Sequence, residues 1–278
     1  MSSSPPEAAA DYALGRSDAE TGRLIRQHQL YGPLTRQFLV GAGITAGMTV
    51  LDLGCGAGDV ALLLADLVGP QGHVLALDTN QDILDVARER VRAAGWTTVT
   101  FQHGGIPRAD LGADVDAVVG RWVLMYAPEP ESLLREARGL LRPGGIVAFQ
   151  EGDIRSSVRA YPPAPLHEQL VRLTTPPPGA PGPDIEMGLK LFRTFVQAGL
   201  PAPQLRHDAP VGGGGSWPGY AYLAETVRSL LPFLTQVGAT TPDQIDIDTL
   251  EDRLRAEVVE QNGIQILPPL VGAWTRLS

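Results

Sequence analysis

A single cysteine, Cys55, in 278 residues excludes an internal disulfide. No run reaches the ~18 consecutive apolar residues that a membrane-spanning helix needs, so a transmembrane segment is not expected. Positive charge is in deficit: 22 Lys and Arg stand against 31 Asp and Glu, a formal net charge of −9. An extended basic face for nucleic acid is therefore not expected. The start, Met1-Ser2-Ser3-Ser4-Pro5-Pro6-Glu7-Ala8-Ala9-Ala10, lacks both a basic region and a long apolar stretch. It does not read as a secretory signal, and a cytoplasmic location is the expectation. No His, Cys and Asp cluster has metal-site spacing, so no metal is expected.

What is present is enough apolar sequence, 44% of residues, to bury a full core in one embellished domain. The most informative stretch is Val50-Leu51-Asp52-Leu53-Gly54-Cys55-Gly56-Ala57-Gly58-Asp59, a buried strand running into a glycine turn that opens a helix. Closely spaced glycines let the backbone take positive φ and approach a ligand. The following helix offers unpaired N–H groups. The pattern is G-x-G-x-G preceded by Asp52, whereas dinucleotide folds want G-x-G-x-x-G. A helix, Val60 to Val68, and a strand, Gly72 to Asp78, complete a right-handed βαβ unit that ends in an acid.

Together these residues resemble the first motifs of the class I S-adenosylmethionine-dependent methyltransferases, of the small-molecule, quinone-biosynthesis-like or natural-product kind. Leu141-Arg142-Pro143-Gly144-Gly145 resembles the turn before the fifth strand of that family, so the resemblance spans about residues 45–153. It implies S-adenosylmethionine as cofactor and S-adenosylhomocysteine as product. It further implies that Asp52, Gly54 and Gly56 surround the methionine part, with Cys55 and Gly58 of the same turn as further cofactor-binding candidates, that Asp78 takes the ribose hydroxyls, and that Thr79 and Asn80 flank the adenosine. Gly104, Gly105 and Ile106 fall near adenine, with Gly105 where many relatives carry an acid. Arg121, at the end of the fourth strand, faces the cofactor carboxylate and the acceptor, with a solvent salt bridge as the competing reading; Tyr12 and Tyr31, near the N-terminus, are candidates to close over the cofactor, with packing as the competing reading. Cys55 itself reads as a small packing residue.

Periodicity gives an α/β chain with a doubly wound, mostly parallel seven-stranded sheet, a Rossmann-like class I methyltransferase fold with an N-terminal helical arm and helical lid insertions. The expected divisions are a flexible tail 1–16, the arm 17–44 opened by the capping box Ser17-Asp18-Ala19-Glu20, and a cofactor-binding core 45–153. A Pro-rich cover and helix at 154–202 follows, then 203–278 with the last strands and a helical insertion at about 216–262. Arg155 to Pro183 reads as short irregular pieces, 242–261 as one helix, and 263–277 as one returning strand. Gly212 to Gly215 reads as flexible or closely packed. Trp217, Tyr220, Tyr222, Leu223, Leu230, Leu231 and Phe233 make the insertion a candidate substrate lid, with burial in an ordinary core as the competing reading.

Methyl transfer is mostly alignment of two ligands, so few groups need take part chemically. Glu151, Arg121 and His167 are the catalytic candidates, with Asp153, His28 and His207 as further polar groups of suitable type. The expected activity is methylation of an O, N or activated C atom of a small apolar or aromatic metabolite. The alternative is a cyclase or isomerase of the same fold that uses the cofactor structurally or electrostatically. A small-molecule substrate is the expected partner, and the apolar residues of the arm and late helices are candidates for a homodimer contact.

Overall fold

The computed structural model describes residues 18–106, 114–155, 159–176 and 182–278. Tyr12 and the expected tail lie outside these residues. In chain order the elements are α1 (Asp18–Ala42), β1 (Thr49–Leu53), α2 (Asp59–Val68), β2 (His73–Asp78), α3 (Gln81–Ala93), β3 (Val99–His103) and β4 (Val115–Arg121). Then come α4 (Pro130–Gly139), β5 (Leu141–Gly152), β6 (Arg159–Tyr161), α5 (Pro165–Thr174), α6 (Met187–Gln197), β7 (Gln204–Asp208) and β8 (Val211–Gly213). The chain closes with α7 (Gly219–Gln236), α8 (Pro242–Ile245), α9 (Leu250–Val259), β9 (Ile264–Ile266) and β10 (Leu270–Arg276).

Seven strands form one sheet in the order β3-β2-β1-β4-β5-β10-β7, parallel except that β10 runs antiparallel to both of its neighbours. This is the doubly wound sheet expected from the sequence. The inner strands β1 and β4 are buried along nearly their whole length because both faces are covered, whereas the edge strands β3 and β7 are polar and partly exposed. Alternate residues feed two cores. Leu51, Leu53, Val118 and Phe149 pack with α4 and α6, while Val50, Ala117, Val119 and Ala148 pack with α1 and α2. The sheet reverses winding between β1 and β4, and the register Leu53 opposite Gly120 brings those two strand ends side by side. Ligands of such sheets collect outside the carboxyl ends at this reversal.

The late chain departs from its sequence pattern in ways its prolines and turns explain. Residues 263–277 are two strands, since Pro268 and Pro269 cannot donate to a ladder. β9 therefore pairs with β6 and β8 in a separate three-stranded sheet, and only β10 enters the main one. The stretch 242–261 is two helices, because Asp246 takes φ +51° and ends α8. Within the Pro-rich cover, Pro165 opens helix α5 where a break was expected, the first helical position being one that proline tolerates. The glycine run is closely packed at its start: a Cβ on Gly212 would meet the Trp217 ring at 2.2 Å. Small sheet, α5, α7 and α9 form a cap around Tyr220, Leu223, Val227, Leu231, Leu250 and Leu254.

Close approach also fixes α1 on the sheet. Phe38 lies over Gly272 of β10, where an added Cβ would come within 2.5 Å of two ring carbons. Replacing Gly272 by Ala overpacks this contact. The expected loss in urea unfolding is about 1–3 kcal/mol, and an unchanged midpoint would show that α1 is not seated here.

Candidate functional site

The carboxyl edge is built on the turn after β1. Gly54, Gly56 and Gly58 take φ of +65°, +51° and +83°, as the spacing predicts. Each glycine has its own reason. A Cβ on Gly54 would strike Val123 at 2.7 Å, one on Gly58 would crowd Ala87 of α3 at 3.1 Å, and one on Gly56 would have no heavy atom within 4 Å. Gly56 therefore faces open space with its N–H directed at Asp78 Oδ2, 2.9 Å away. Asp78 Oδ1 accepts from the Asn80 N–H at 2.9 Å, and the Asn80 side chain caps α3 by accepting from the Asp82 N–H at 3.0 Å. β3 ends alongside: Gly104 N–H donates to Asp78 O at 2.9 Å, and His103 Nε2 lies 3.0 Å from Thr79 O. Gly105 follows, and Ile106 is buried.

Cys55 is buried in the turn, its N–H donating to Leu77 O at 2.8 Å. Burial first, then the charges of Asp52 and Asp78, pushes its thiol well above the usual range, so it is inert and fills space. Asp52 is 1% exposed. Burial raises its carboxyl to about 8, against the lowering influence of Arg121, and its Oδ2 has no hydrogen-bond partner.

Asp59, the first residue of α2, gathers Arg121 and His28, which the sequence pattern had singled out separately, and Arg90, which it had not. Arg90 of α3 donates to Asp59 Oδ1 at 2.7 Å and to Ala57 O at 2.5 Å, clamping the glycine turn from the side. Arg121 approaches Asp59 Oδ2 at 3.8 Å and donates to Thr35 Oγ1 of α1 at 3.1 Å. His28 Nδ1 of α1 lies 3.9 Å from the same carboxylate, and burial, the largest influence, lowers the pKa of its ring. Only the assembled fold brings α1, α3 and β4 to this point, which is why spacing along the chain could not show it.

Beyond Arg121 the chain turns sharply. Trp122 has φ +57°, and its N–H donates to Gln150 O of β5 at 2.9 Å. Glu151, fully buried, then accepts the N–H groups of Val123 at 2.9 Å, Leu124 at 2.8 Å and Met125 at 3.3 Å. Burial raises the Glu151 carboxyl to about 7, although the three backbone donors favour its charged form. Above this turn Tyr31 of α1 meets Trp122 at 5.1 Å and Tyr222 of α7 at 5.8 Å, both near-perpendicular, and Tyr31 Oη donates to Pro268 O at 3.0 Å. Tyr222 and Trp217 from the expected lid thus belong to the roof of the edge. Tyr220, Leu223 and Leu231 fill the cap core, and Phe233 is 49% exposed.

The structure brings Asp52, Gly54, Cys55, Gly56, Gly58, Asp78, Thr79, Asn80, Gly104 and Arg121 together at one edge. His167 stands apart on α5, fully buried with both ring nitrogens unpartnered and its pKa lowered by burial. His207 lies on β7 beside a surface hollow of about 270 Å³, also away from the turn. Asp153 is buried after β5, its N–H donating to Pro269 O at 3.1 Å. Among the described residues no group of three or more His, Cys, Asp or Glu could hold a metal ion, and no helix is long and apolar enough to cross a membrane.

The raised Glu151 carboxyl has a consequence for stability. Between its unfolded value near 4.5 and its folded value of about 7, the folded chain holds a proton that the unfolded chain has released. Stability from this group is complete below 4.5 and falls as pH rises to about 7. Glu151→Gln, which retains one accepting oxygen, is expected to flatten that part of the denaturation profile, a change of about 1–3 kcal/mol across the window. A profile with the wild-type slope would contradict it.

Comparison with known proteins agrees with this architecture. Residues 44–176 match the family model described as a methyltransferase domain. Arsenite methyltransferase of Halobacterium salinarum is 39% identical over 113 residues, covering 40% of this chain and 28% of that protein. Demethylmenaquinone methyltransferase of Listeria welshimeri is 35% identical over 108 residues, covering 38% of this chain and 45% of that protein. The chain thus spans less than half the length of these curated relatives. Among solved structures, the [4+2]-cyclase SpnF superposes with a TM-score of 0.53 at 17% identity, over 90% of this chain and 83% of that one, which shows a shared fold. Sheet order, glycine turn and family match agree: over residues 44–176 the chain is similar to a methyltransferase domain and has the strand order and glycine turn expected of one.

Proposed function

We propose that the protein transfers the methyl group of S-adenosylmethionine to an O, N or activated C atom of a small, largely apolar or aromatic molecule. The observation that carries this reading is the pairing of Asp78 with the open glycine turn. Each Asp78 oxygen accepts one backbone N–H, which leaves acceptor capacity on both oxygens for a vicinal diol. Gly54 and Gly56 line the path of the methionine part, with Cys55 and Gly58 shaping the turn and Asp52 and Arg90 bracing it. Thr79, Asn80, Gly104, Gly105 and Ile106 border the adenosine end. Gly105 supplies no side-chain acceptor, so recognition there falls to backbone groups or water.

The cofactor supplies an electrophilic methyl on a sulfonium. The chain's part is to align and to exclude water. Arg121, 6% exposed at the side chain, is placed for a carboxylate at the edge. Tyr31, Trp122 and Tyr222 shield the space above it. Glu151, its oxygens taken by three N–H groups, shapes the wall of the site. His167 would reach an acceptor only after the cap opens, and a base is needed only for acceptors that must lose a proton.

A cyclase or isomerase reading is supported by one observation, the shared fold with a protein named as a [4+2]-cyclase. Product mass separates the two, because methylation adds one CH₂ and ring closure adds nothing. The pocket itself is tested by calorimetric titration with S-adenosylhomocysteine. Saturable binding weakened at least about tenfold by Asp78→Ala, the scale of losing charge-assisted hydrogen bonds, is expected. Equal affinity in wild type and variant would remove Asp78 from the pocket.

A further inference from the structure

Trp122 stands at the end of β4 in a backbone conformation that tryptophan rarely adopts, φ +57°, in the left-handed region where bulky L-residues are disfavoured. Such a conformation persists where the surroundings over-determine it. Three consecutive residues of β5 do so here. Gln150 O receives the Trp122 N–H at 2.9 Å. Glu151 receives the next three N–H groups at 2.8–3.3 Å. Gly152 leaves room for the ring, since a Cβ there would lie 3.3 Å from the indole Nε1.

The positive φ of this turn falls on Trp122, which is partly exposed together with Arg121 and Val123 on either side of it. Leu124 and Met125, just after it, are buried in the sheet core, whereas Trp122 remains partly exposed. The register Leu53 opposite Gly120 sets Trp122 one strand away from the glycine turn, and its neighbour Val123 touches Gly54. The Arg121 guanidinium lies 5.0 Å from the centroid of the Trp122 ring, and the perpendicular Tyr31 ring is 5.1 Å away. The indole is thus held from backbone and side chain alike, with its accessible part beside the place where the methyl group would be offered.

Resting on the methyl-transfer reading above, we propose that Trp122 sets the substrate class: its indole is the surface against which a planar aromatic acceptor stacks, and Glu151 is the positioning residue that holds the turn. A ring fixed in place favours another ring by offset or edge-to-face contact beyond the area covered. A saturated molecule of the same size gains the area alone.

The probes are 2-naphthol and decahydro-2-naphthol, titrated by calorimetry into the full chain with and without S-adenosylhomocysteine. The wild type is expected to prefer the aromatic probe by about 2- to 10-fold. Trp122→Leu brings the ratio to near one, while Trp122→Phe keeps a preference. Glu151→Leu lowers the ratio and Glu151→Gln restores it. Melting curves of the Trp122 variants that match the wild type report an intact fold. An unchanged ratio in Trp122→Leu, or no preference or no binding in the wild type, overturns the proposal. Failure of the methyl-transfer reading has a different signature, loss of S-adenosylhomocysteine binding in the wild type with the aromatic preference intact.

Discussion

Asp59 begins α2 with its carboxylate buried at the helix N-terminus, where the helix dipole and two arginines all favour negative charge. Arg90 spends its other donor on Ala57 O, so one carboxylate fixes both the start of the helix and the curve of the glycine turn before it. Arg121 ties the end of β4 to the same point and, through Thr35, brings α1 across the edge. Removing one partner from a buried charged group typically costs about 3–5 kcal/mol, because the remaining charge is left without an answer. The turn, the adjacent strand end and the covering arm consequently keep one arrangement.

β5 carries a second constraint on the same edge. Its Glu151 gathers the N–H groups of a turn that would otherwise leave buried donors unpaired, an outcome that folded chains avoid. The sequence suggested a proton acceptor at this position, and the carboxyl raised to about 7 fits that residue type. The geometry instead directs both oxygens inward to the backbone. An acid at a strand end can thus serve a site by shaping it, and the raised value follows from burial.

Much of the fold was legible because its signals are local. Alternation of apolar strands with amphipathic helices located the main sheet, and G-x-G-x-G with Asp52 and Asp78 marked the turn and its opposing acid. What stayed hidden depends on contacts distant in sequence. Arg90 looks like a surface residue of an amphipathic helix until the turn packs beside it, and Trp122 looks like an ordinary strand end until β5 bends the chain into positive φ. In the cap, Tyr220 and Leu231 had the spacing of either lid or core, and packing against α5 and α9 made them core. The separate small sheet was obscured because its strands are only three residues long and one of them is largely glycine.

These relations converge on the claim that the edge between β1, β2 and β4 is preorganised for a sulfonium nucleoside. A crystal structure of the protein with S-adenosylhomocysteine tests it most directly. The account predicts the ribose hydroxyls on Asp78, the amino-acid part along Gly54 and Gly56 toward Arg121, and the Arg90–Asp59 clamp in place. Ligand bound elsewhere, or a glycine turn that has to rebuild before the ligand fits, would contradict it.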